Sequence, residues 1–261
     1  MTFWNEKQLP AVIAETIAGE PFRADDIGRS DSAVLLFSDK VLKIEKTSET
    51  SDNEYAILRF LEGKLRAPRV LGFARENGFN YLLMSRLEGD MACRTDRTPE
   101  AVSEALARGI LLLRDADISG CPKTRSFADA LAEAKKRMND GGLCGLAPQA
   151  KEFESFECLY DYLAAHVPEE IPVFSHGDYC LPNVFLSGDE LGFLDLGSAG
   201  IMDKDYDVFM CLWSMRYNFV TLGGMDEERF ETCKRIFFDA LGEPENEEKL
   251  RFHGLLDEFF V

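Results

Sequence analysis

Short apolar runs alternate with polar positions in the first third of the chain. Residues 33–37 and 41–44 are β-type runs separated by three polar or charged residues, a pattern that predicts a hairpin. Residues 51–65 place apolar side chains at helical spacing and predict an amphipathic helix. Residues 68–73 and 79–84 predict two more strands, separated by the turn signal Glu-Asn-Gly. This part of the chain therefore predicts a small sheet accompanied by one helix.

Helical periodicity dominates the remainder of the chain. The segments with this periodicity are residues 99–115, 126–139, 152–166 and most of 203–260. Residues 173–200 interrupt them with short strands and turns. The predicted fold class is therefore α+β, with a small β-rich N-terminal lobe (residues 1–86) and a larger helical C-terminal lobe (residues 87–261).

The charge of the chain argues against one class of partner. With 29 Lys and Arg residues against 47 Asp and Glu residues, the net charge is −18. This is the wrong sign for binding the phosphate backbone of a nucleic acid. An acidic surface suits a polycationic small molecule, although it equally suits a protein that only needs to stay in solution. The 46% of hydrophobic residues supply a core and argue against wholesale disorder.

The sequence indicates neither a secretion signal nor a membrane span. Its first residues contain no apolar stretch, and its longest apolar runs are far too short to cross a bilayer. The seven cysteines form no Cys-x-x-Cys pair, which favours reduced thiols over a disulfide framework or a zinc site. We therefore expect a cytoplasmic protein without a membrane partner. The sequence does not decide between a monomer and a weak dimer.

The densest group of chemically active side chains lies in one predicted hairpin and the turn before it. Two short strands joined by a turn place Leu186 opposite Leu191. This register brings the amide of Asn183 and the carboxylate of Asp195 to the same end of the hairpin. Asp178 lies five residues before Asn183, in a turn that leaves it room to approach the same point.

These three oxygen-bearing side chains suit phosphoryl transfer. Two carboxylates and one carbonyl oxygen are the kind of ligands that Mg²⁺ shares with phosphate groups and water. Asp178 instead suits the acceptance of a proton from an attacking hydroxyl, while Asn183 and Asp195 hold the metal. The structural alternative is an Asx-rich hairpin whose side chains only cap turns. The spacing of all three residues, with His176 and Gly177 preceding them, favours the chemical interpretation.

Lys43 and Glu54 form a second candidate pair. Lys43 lies on a predicted strand, and alternation places its side chain on the opposite face from its apolar neighbours. Glu54 shares the apolar face of the predicted helix, and an inward-facing carboxylate needs a cation, for which Lys43 is the nearest candidate in sequence. In kinases such a pair supports a lysine that holds the ATP phosphates. Alternatively, Ser51 and Glu54 form a capping box at the start of the helix.

Taken together, these residues resemble the aminoglycoside 3′-phosphotransferases, a family with a two-lobed protein-kinase-like fold. The most specific parts are the sequence His-Gly-Asp-Tyr-Cys-Leu-Pro-Asn at residues 176–183 and the terminal Leu-Asp-Glu-Phe-Phe at residues 256–260. Further points of likeness are residues 41–43, 54, 61–65, 81–85, 118–122 and 195–197. The resemblance covers most of the chain. It implies ATP-dependent transfer of a phosphoryl group to a hydroxyl of an aminoglycoside antibiotic, most specifically the 3′-hydroxyl. This modification of the drug is expected to confer resistance.

The resemblance also implies a role for individual residues. Asp178 is the expected catalytic base, and Asn183 and Asp195 are the expected Mg²⁺ ligands. Lys43 is expected to contact the α- and β-phosphates of ATP while it pairs with Glu54. GTP is a possible replacement for ATP.

Three further groups of residues follow from the resemblance. Adenine is expected to hydrogen-bond to the backbone of Ser85 to Leu87 and to pack on Val41. The phosphates are expected to lie under a weakly marked loop with one glycine that contains Ser30, Asp31 and Ser32. The ammonium groups of the drug are expected to bind Asp257, Glu258 and the terminal carboxylate of Val261.

Some positions depart from the family pattern. Ser198 stands where the family usually carries an arginine, and Tyr217 and Asn218 stand where relatives can present acidic residues to the drug. The chain also continues one residue past Phe260, where relatives often stop, to Val261. These departures keep open a kinase of another small hydroxylated amine, and a nucleotide-binding relative without transfer activity. A metal hydrolase built on His176, Asp178 and Asp195 is less well supported, because the chain has three histidines and no His-Glu-x-x-His motif.

Overall fold

The computed structural model describes residues 9–24, 32–141, 143, 145–147 and 150–260. The chain forms two compact units, one made of Met1–Thr95 with Pro182–Ala199 and the other of Asp96–Leu181 with Gly200–Val261. These units do not follow the predicted boundary at residue 86. The assignment of residues 1–86 to nucleotide binding and of 87–261 to catalysis and substrate binding stays a prediction.

The first unit contains a five-stranded antiparallel sheet with the strand order β1-β2-β3-β5-β4. Its strands are β1 (Arg23–Ala24), β2 (Ala33–Leu36), β3 (Lys40–Lys46), β4 (Val70–Glu76) and β5 (Phe79–Ser85). The two predicted hairpins, β2–β3 and β4–β5, are confirmed. A short helix that the pattern did not predict, α1 (Ala11–Ile17), packs Ile13 and Ile17 on the apolar face of this sheet.

The helix α2 (Glu49–Leu61) follows β3 and begins two residues before the predicted start. Its N-cap is Ser48, which forms a capping box with Ser51, so the alternative interpretation of Ser51 and Glu54 as a capping box is excluded. The helix also ends four residues earlier than predicted. Gly63 then adopts a φ of 78°, a conformation that glycine tolerates and that cannot continue a right-handed helix.

A separate three-stranded sheet completes the first unit. Its strands are β6 (Asp90–Met91), β8 (Val184–Ser187) and β9 (Glu190–Phe193), in the order β6-β8-β9. Leu186 lies opposite Leu191, and the amide of Leu194 donates a hydrogen bond of 2.9 Å to the carbonyl oxygen of Asn183. The register predicted for this hairpin is therefore confirmed.

The second unit is mainly helical. Its helices are α3 (Pro99–Arg114), α4 (Phe127–Asp140), α5 (Phe156–Ala165), α6 (Tyr206–Met215), α7 (Glu227–Leu241) and α8 (Glu247–Asp257). The apolar faces of α4, α5 and α8 meet in one core cluster that also contains the buried ring of Phe259. Two strands, β7 (Pro172–Ser175) and β10 (Gly200–Asp203), pair antiparallel, and a π-helical segment, Arg216–Leu222, continues α6.

The described residues bear on two of the predictions, that of reduced cysteines and that of no membrane span. The six cysteines among them are free thiols. None of the helices in this part of the chain combines the length and the apolar character that crossing a bilayer requires.

Candidate active site

Lys43 and Glu54 form a close ion pair in the first unit. The Lys43 Nζ atom lies 2.7 Å from Oε2 of Glu54, whose side chain is only 4% exposed. Strand alternation explains this placement, because Leu42 and Ile44 enter the sheet core while Lys43 points to the other face. Burial raises the pKa of Glu54, and the attraction of Lys43 opposes that rise. The pair predicted from the sequence is present, and its role toward a nucleotide stays a prediction.

Lys43 also contacts Asp195. Its Nζ atom lies 3.0 Å from Oδ1 of Asp195, across 152 positions of sequence. Burial alone would lower the pKa of Lys43, but Glu54 and Asp195 outweigh it, and the pKa rises well above its ordinary value. Lys43 is therefore a permanent cation that joins a buried carboxylate to one that is 56% exposed. An exposed carboxylate next to a fixed cation remains accessible to a further ligand.

The turn that carries Asp195 is held by α2. Asp195 has a φ of 56°, and a short 3₁₀ helix, Leu196–Ser198, follows it. The side-chain amide of Asn53 donates hydrogen bonds to the carbonyl oxygens of Gly197 (2.9 Å) and Ala199 (2.8 Å). Asn53 immediately precedes Glu54 on α2, so one helix positions both partners of Lys43.

Asn183 and Asp195 lie at one end of the β8–β9 hairpin, as the hydrogen bond between Leu194 and Asn183 requires. Among the described residues there is no group of three or more His, Cys, Asp or Glu side chains that could hold a metal ion. One carboxylate and one amide oxygen nevertheless fit Mg²⁺, which takes few protein ligands and completes its shell with water and phosphate oxygens. The donor set therefore fits the predicted metal, and its role as a metal site remains a prediction.

The segment predicted to bind adenine follows β5. The amides of Ser85 and Arg86 donate to the carbonyl oxygens of Arg69 and Asp39, both at 2.8 Å. These amides already have acceptors, and among the described residues no acceptor is found for the amide of Leu87. Leu87 is therefore the donor of this segment best suited to a base.

The remaining nucleotide-binding predictions are only partly addressed. Val41 lies on β3, opposite Met84 of β5, and is half-buried. Ser32 immediately precedes β2, whereas Ser30 and Asp31 lie outside the described residues.

In the second unit, the loop that carries Asp178 is fixed from several sides. The buried carboxylate of Asp207 accepts hydrogen bonds from the amides of His176 (2.7 Å) and Gly177 (3.0 Å). Gly177 has a φ of 76°, in the left-handed region that favours glycine. The hydroxyl of Tyr179 donates to the carbonyl oxygen of Leu106 in α3, at 2.8 Å. The loop is thus rigid around a half-buried Asp178.

Asp207 and Ser214 are functional candidates that the sequence pattern did not indicate. Both lie on α6, and the hydroxyl oxygen of Ser214 accepts a hydrogen bond of 3.0 Å from the amide of Leu181. Burial raises the pKa of Asp207, against the opposing effects of His176 and the two amides. The available signal was helical spacing: Asp207 shares the buried face of α6 with Cys211. A buried acidic residue needs hydrogen-bond donors around it, so its presence on this face indicates a specific hydrogen-bonding role.

Of the residues predicted to bind the drug, Asp257 and Glu258 differ in their surroundings. Asp257 lines a small cavity together with Arg125 and Tyr206. Burial raises the pKa of Asp257, and the positive charge of Arg125 works against that rise. Glu258 is 8% exposed, and its Oε2 atom accepts a hydrogen bond of 2.9 Å from the amide of Ala147.

The remaining positions that were considered for drug binding are residues 217, 218 and 261. Val261 lies outside the described residues. The side-chain amide of Asn218 donates to the carbonyl oxygen of Ser214 at 2.8 Å, and the ring of Tyr217 stacks on Trp213 at 5.7 Å. Both side chains at 217 and 218 thus have partners on their own helical segment.

Comparison with known proteins identifies the family. The sequence profile of the phosphotransferase enzyme family matches residues 22–251. The chain belongs to this family. An aminoglycoside 3′-phosphotransferase from Enterococcus faecalis is 34% identical over 241 residues, which cover 90% of this phosphotransferase and 87% of the relative. Another, from Staphylococcus aureus, is 32% identical over 255 residues, or 95% of this chain and 93% of the relative.

A solved structure shows the same fold. The aminoglycoside phosphotransferase of Streptomyces rimosus, in complex with ADP and streptomycin, matches this phosphotransferase with a TM-score of 0.76 at 21% identity. The match covers 96% of each chain. The predicted fold class, an α+β protein of the two-lobed protein-kinase-like type, is confirmed, and so is the resemblance to the aminoglycoside 3′-phosphotransferases.

Proposed function

We propose that this phosphotransferase transfers the γ-phosphoryl group of ATP to a hydroxyl of an aminoglycoside antibiotic, the 3′-hydroxyl, and thereby confers resistance in the cytoplasm. The observation that carries the proposal is the contact of Lys43 with both Glu54 and Asp195, at 2.7 and 3.0 Å. A lysine fixed in this way between a buried and an exposed carboxylate is suited to hold phosphates beside a metal ligand. The names of the two bacterial relatives support the choice of substrate.

On the nucleotide side, Lys43 is proposed to bind the α- and β-phosphates, with Glu54 holding its side chain in place. The Leu87 amide is proposed to donate a hydrogen bond to the adenine ring, and Val41 to pack on the face of the ring. Ser30, Asp31 and Ser32 remain the proposed phosphate loop. Mg²⁺, bound by Asn183 and Asp195, would supply positive charge that offsets the charge of the phosphates.

On the acceptor side, Asp178 is proposed to orient the attacking hydroxyl and to take its proton. The hydroxyl oxygen forms a bond to the γ-phosphorus as the bond from that phosphorus to the β,γ-bridging oxygen breaks. The electron pair of the broken bond leaves on ADP, and the proton passes from Asp178 to water after transfer. No covalent enzyme intermediate is needed. Rigid support of the Asp178 loop by Asp207 and by Tyr179 favours this role, because a positioned base needs little reorganisation.

For the drug, Asp257 is the proposed ligand of an ammonium group. It lines a cavity, and burial strengthens its attraction for a cation. Glu258 is proposed to act at the same end of the chain, although its carboxylate already holds the amide of Ala147. The terminal carboxylate of Val261 is proposed as a further ligand.

A second candidate is a kinase of another small hydroxylated amine. The bond from the Ala147 amide to Glu258 favours it, because this carboxylate already has an internal partner where a polycationic drug would need an acceptor. Such a substrate would require fewer acidic groups than an aminoglycoside does.

The test is ADP release by the purified protein with Mg-ATP, and in parallel with Mg-GTP. The acceptors are kanamycin, neomycin, amikacin, a matched drug without the 3′-hydroxyl, and non-antibiotic amino alcohols. We expect turnover with the 3′-hydroxyl drugs and none with the matched drug, and loss of transfer in Asp178→Asn with unchanged ATP affinity. Turnover with the amino alcohols alone would favour the second candidate. ATP binding without transfer to any acceptor would contradict both.

A further inference from the structure

Cys180 lies directly against the proposed catalytic base. Its Sγ atom is 3.1 Å from Oδ1 of Asp178, well within the range of a hydrogen bond to sulfur. The backbone amide of Cys180 also donates to the carbonyl oxygen of Asp178, at 2.8 Å. Two bonds therefore tie these residues together, one through the backbone and one through the side chains.

The thiol is the donor in the side-chain bond. Burial raises the pKa of Cys180, and the neighbouring Asp178 carboxylate raises it further. The group is therefore a neutral S–H at physiological pH, and the ionised carboxylate can only accept. The neighbouring Ser214 hydroxyl, which accepts a hydrogen bond from the amide of Leu181, opposes this rise of the pKa without outweighing it.

The surroundings of Cys180 differ from those of a cysteine that only fills space. Cys211 and Cys233 are buried thiols on helices of the second unit, and they serve its packing. Cys180 is half-buried, lies in a loop, and faces a carboxylate. A small apolar side chain would pack as well at that place but would leave the carboxylate without this donor.

We propose that Cys180 is a positioning residue whose thiol fixes the orientation of the Asp178 carboxylate toward the acceptor hydroxyl. Rotation about the last side-chain bond of an aspartate is nearly free, so a donor on one oxygen fixes the plane of the group. The thiol gives up no proton and forms no bond to substrate. The inference rests on the proposed function, since a base must be positioned for the transfer that it assists.

The first test compares Cys180→Ala, which removes the donor, with Cys180→Ser, which keeps one. We expect Cys180→Ala to lower kcat about tenfold, in line with the loss of one hydrogen bond to a charged group, with KM for ATP unchanged. Cys180→Ser should restore most of kcat. The control is Cys158→Ala, since Cys158 is an exposed thiol on α5. Wild-type kcat in Cys180→Ala, or equal losses in the alanine and serine variants, would overturn the proposal.

The second test does not depend on turnover. In Asp178→Asn the thiol loses its neighbouring negative charge, so the thiolate forms at lower pH and alkylation by iodoacetamide should become faster. Peptide mass spectrometry then compares the rates at Cys180 and at Cys158 within the same sample. An unchanged rate at Cys180 would show that the contact is absent and would overturn the proposal. If the wild-type protein transfers no phosphate, the proposed function fails and the positioning role fails with it. The alkylation rates still report whether the contact exists.

Discussion

The carboxylate of Asp207 accepts a hydrogen bond of 2.7 Å from the backbone amide of His176. The same carboxylate accepts a second bond, of 3.0 Å, from the amide of Gly177. Both bonds are buried, and they fix the backbone immediately before Asp178. The first turn of α6 therefore controls the conformation of the loop that carries the proposed base.

We predict that Asp207→Asn both destabilises the protein and lowers turnover. The two backbone amides bond to different oxygens of the carboxylate, so an asparagine keeps one acceptor and turns its amide nitrogen toward the other backbone donor. The cost should be about 2–4 kcal/mol of unfolding free energy, because hydrogen bonds to buried charged groups are strong. Urea denaturation and ADP release measure the two effects. Asp239→Asn, at an exposed position on α7, is the matched control and should change neither. A fully stable Asp207→Asn protein would contradict the prediction.

The ion pair of Lys43 and Glu54 allows stability and activity to be separated. Lys43→Met leaves a buried carboxylate without its cation and should cost about 3–5 kcal/mol. The double variant Lys43→Met/Glu54→Leu removes both charges and should regain most of that loss, as buried pairs replaced by apolar residues often do. If Lys43 binds the phosphates as proposed, both variants should lose transfer activity by about 10²-fold or more, because the phosphates lose this cation.

Thermal unfolding together with ADP release checks this prediction. Glu62→Gln, at the C-cap of α2 and on the protein surface, serves as the charge control. Recovery of activity in the double variant would show that Lys43 has only a structural role.

Gly197 is predicted to be intolerant of even one added methyl group. A Cβ atom at this position would lie 2.7 Å from Cγ2 of Thr50 and 3.1 Å from its carbonyl oxygen. Gly197→Ala must therefore push the Asp195 turn away from α2, at a cost of about 1–3 kcal/mol. The shift should also weaken the Lys43–Asp195 contact and reduce ATP binding.

Two variants test the cause of that effect. Thr50→Ser/Gly197→Ala removes the nearer of the two contacts and should recover part of the stability. Gly145→Ala, where an added Cβ meets open space, should be neutral. If Gly197→Ala binds ATP as tightly as the wild type, the turn does not depend on this close approach.

Acid sensitivity is predicted from the buried carboxylate of Asp203. Burial alone would raise the pKa of Asp203. Its carboxylate, however, accepts hydrogen bonds from His253 (3.1 Å), the Ile171 amide (2.9 Å) and Lys249 (2.7 Å). These bonds outweigh the effect of burial, and the pKa falls well below its ordinary value. A carboxyl whose pKa is lowered by folding contributes stability above its unfolded pKa, about 4, and loses it as the pH falls through the folded value.

The unfolding free energy should therefore decrease steeply below about pH 4. Asp203→Asn should be less stable at pH 7, because the buried Lys249 loses its nearer carboxylate and keeps only Asp205, at 3.5 Å. The stability of this variant should also depend less on pH in the acid range. Asp161→Asn, at an exposed site on α5, makes the same charge change without the network. Equal acid slopes for Asp203→Asn and the wild type would contradict this account.

The parts of the fold that the sequence predicted are those decided by local geometry. The register of β8 and β9 follows from a short turn, so the amino-acid sequence alone suffices to place Leu186 opposite Leu191. The pairing of Lys43 with Glu54 followed from strand alternation and from helical spacing, both of which are local rules.

The parts that the sequence did not predict depend on distant partners. The two residues of β6 form a strand only because β8 pairs with them almost a hundred positions later. Helix α1 has seven residues and no side-chain cap, so its stability comes from packing on the sheet rather than from its own sequence. The role of Asp207 depends on the two backbone amides that donate hydrogen bonds to it, whereas helical spacing shows only that the residue is buried.

The division of the first compact unit has a consequence for synthesis of the protein. Its two stretches, Met1–Thr95 and Pro182–Ala199, are separated by 86 residues of the second unit, from 96 to 181. A nascent chain thus emerges from the ribosome with Lys43 and Glu54 long before Asp195 exists, although domains made of one stretch usually fold as they emerge. The β8–β9 hairpin arrives last and completes the unit. Release of an incomplete chain before β8 is made, that is before residue 184, would leave β6 an unpaired edge, so quality control of this enzyme has a defined feature to recognise.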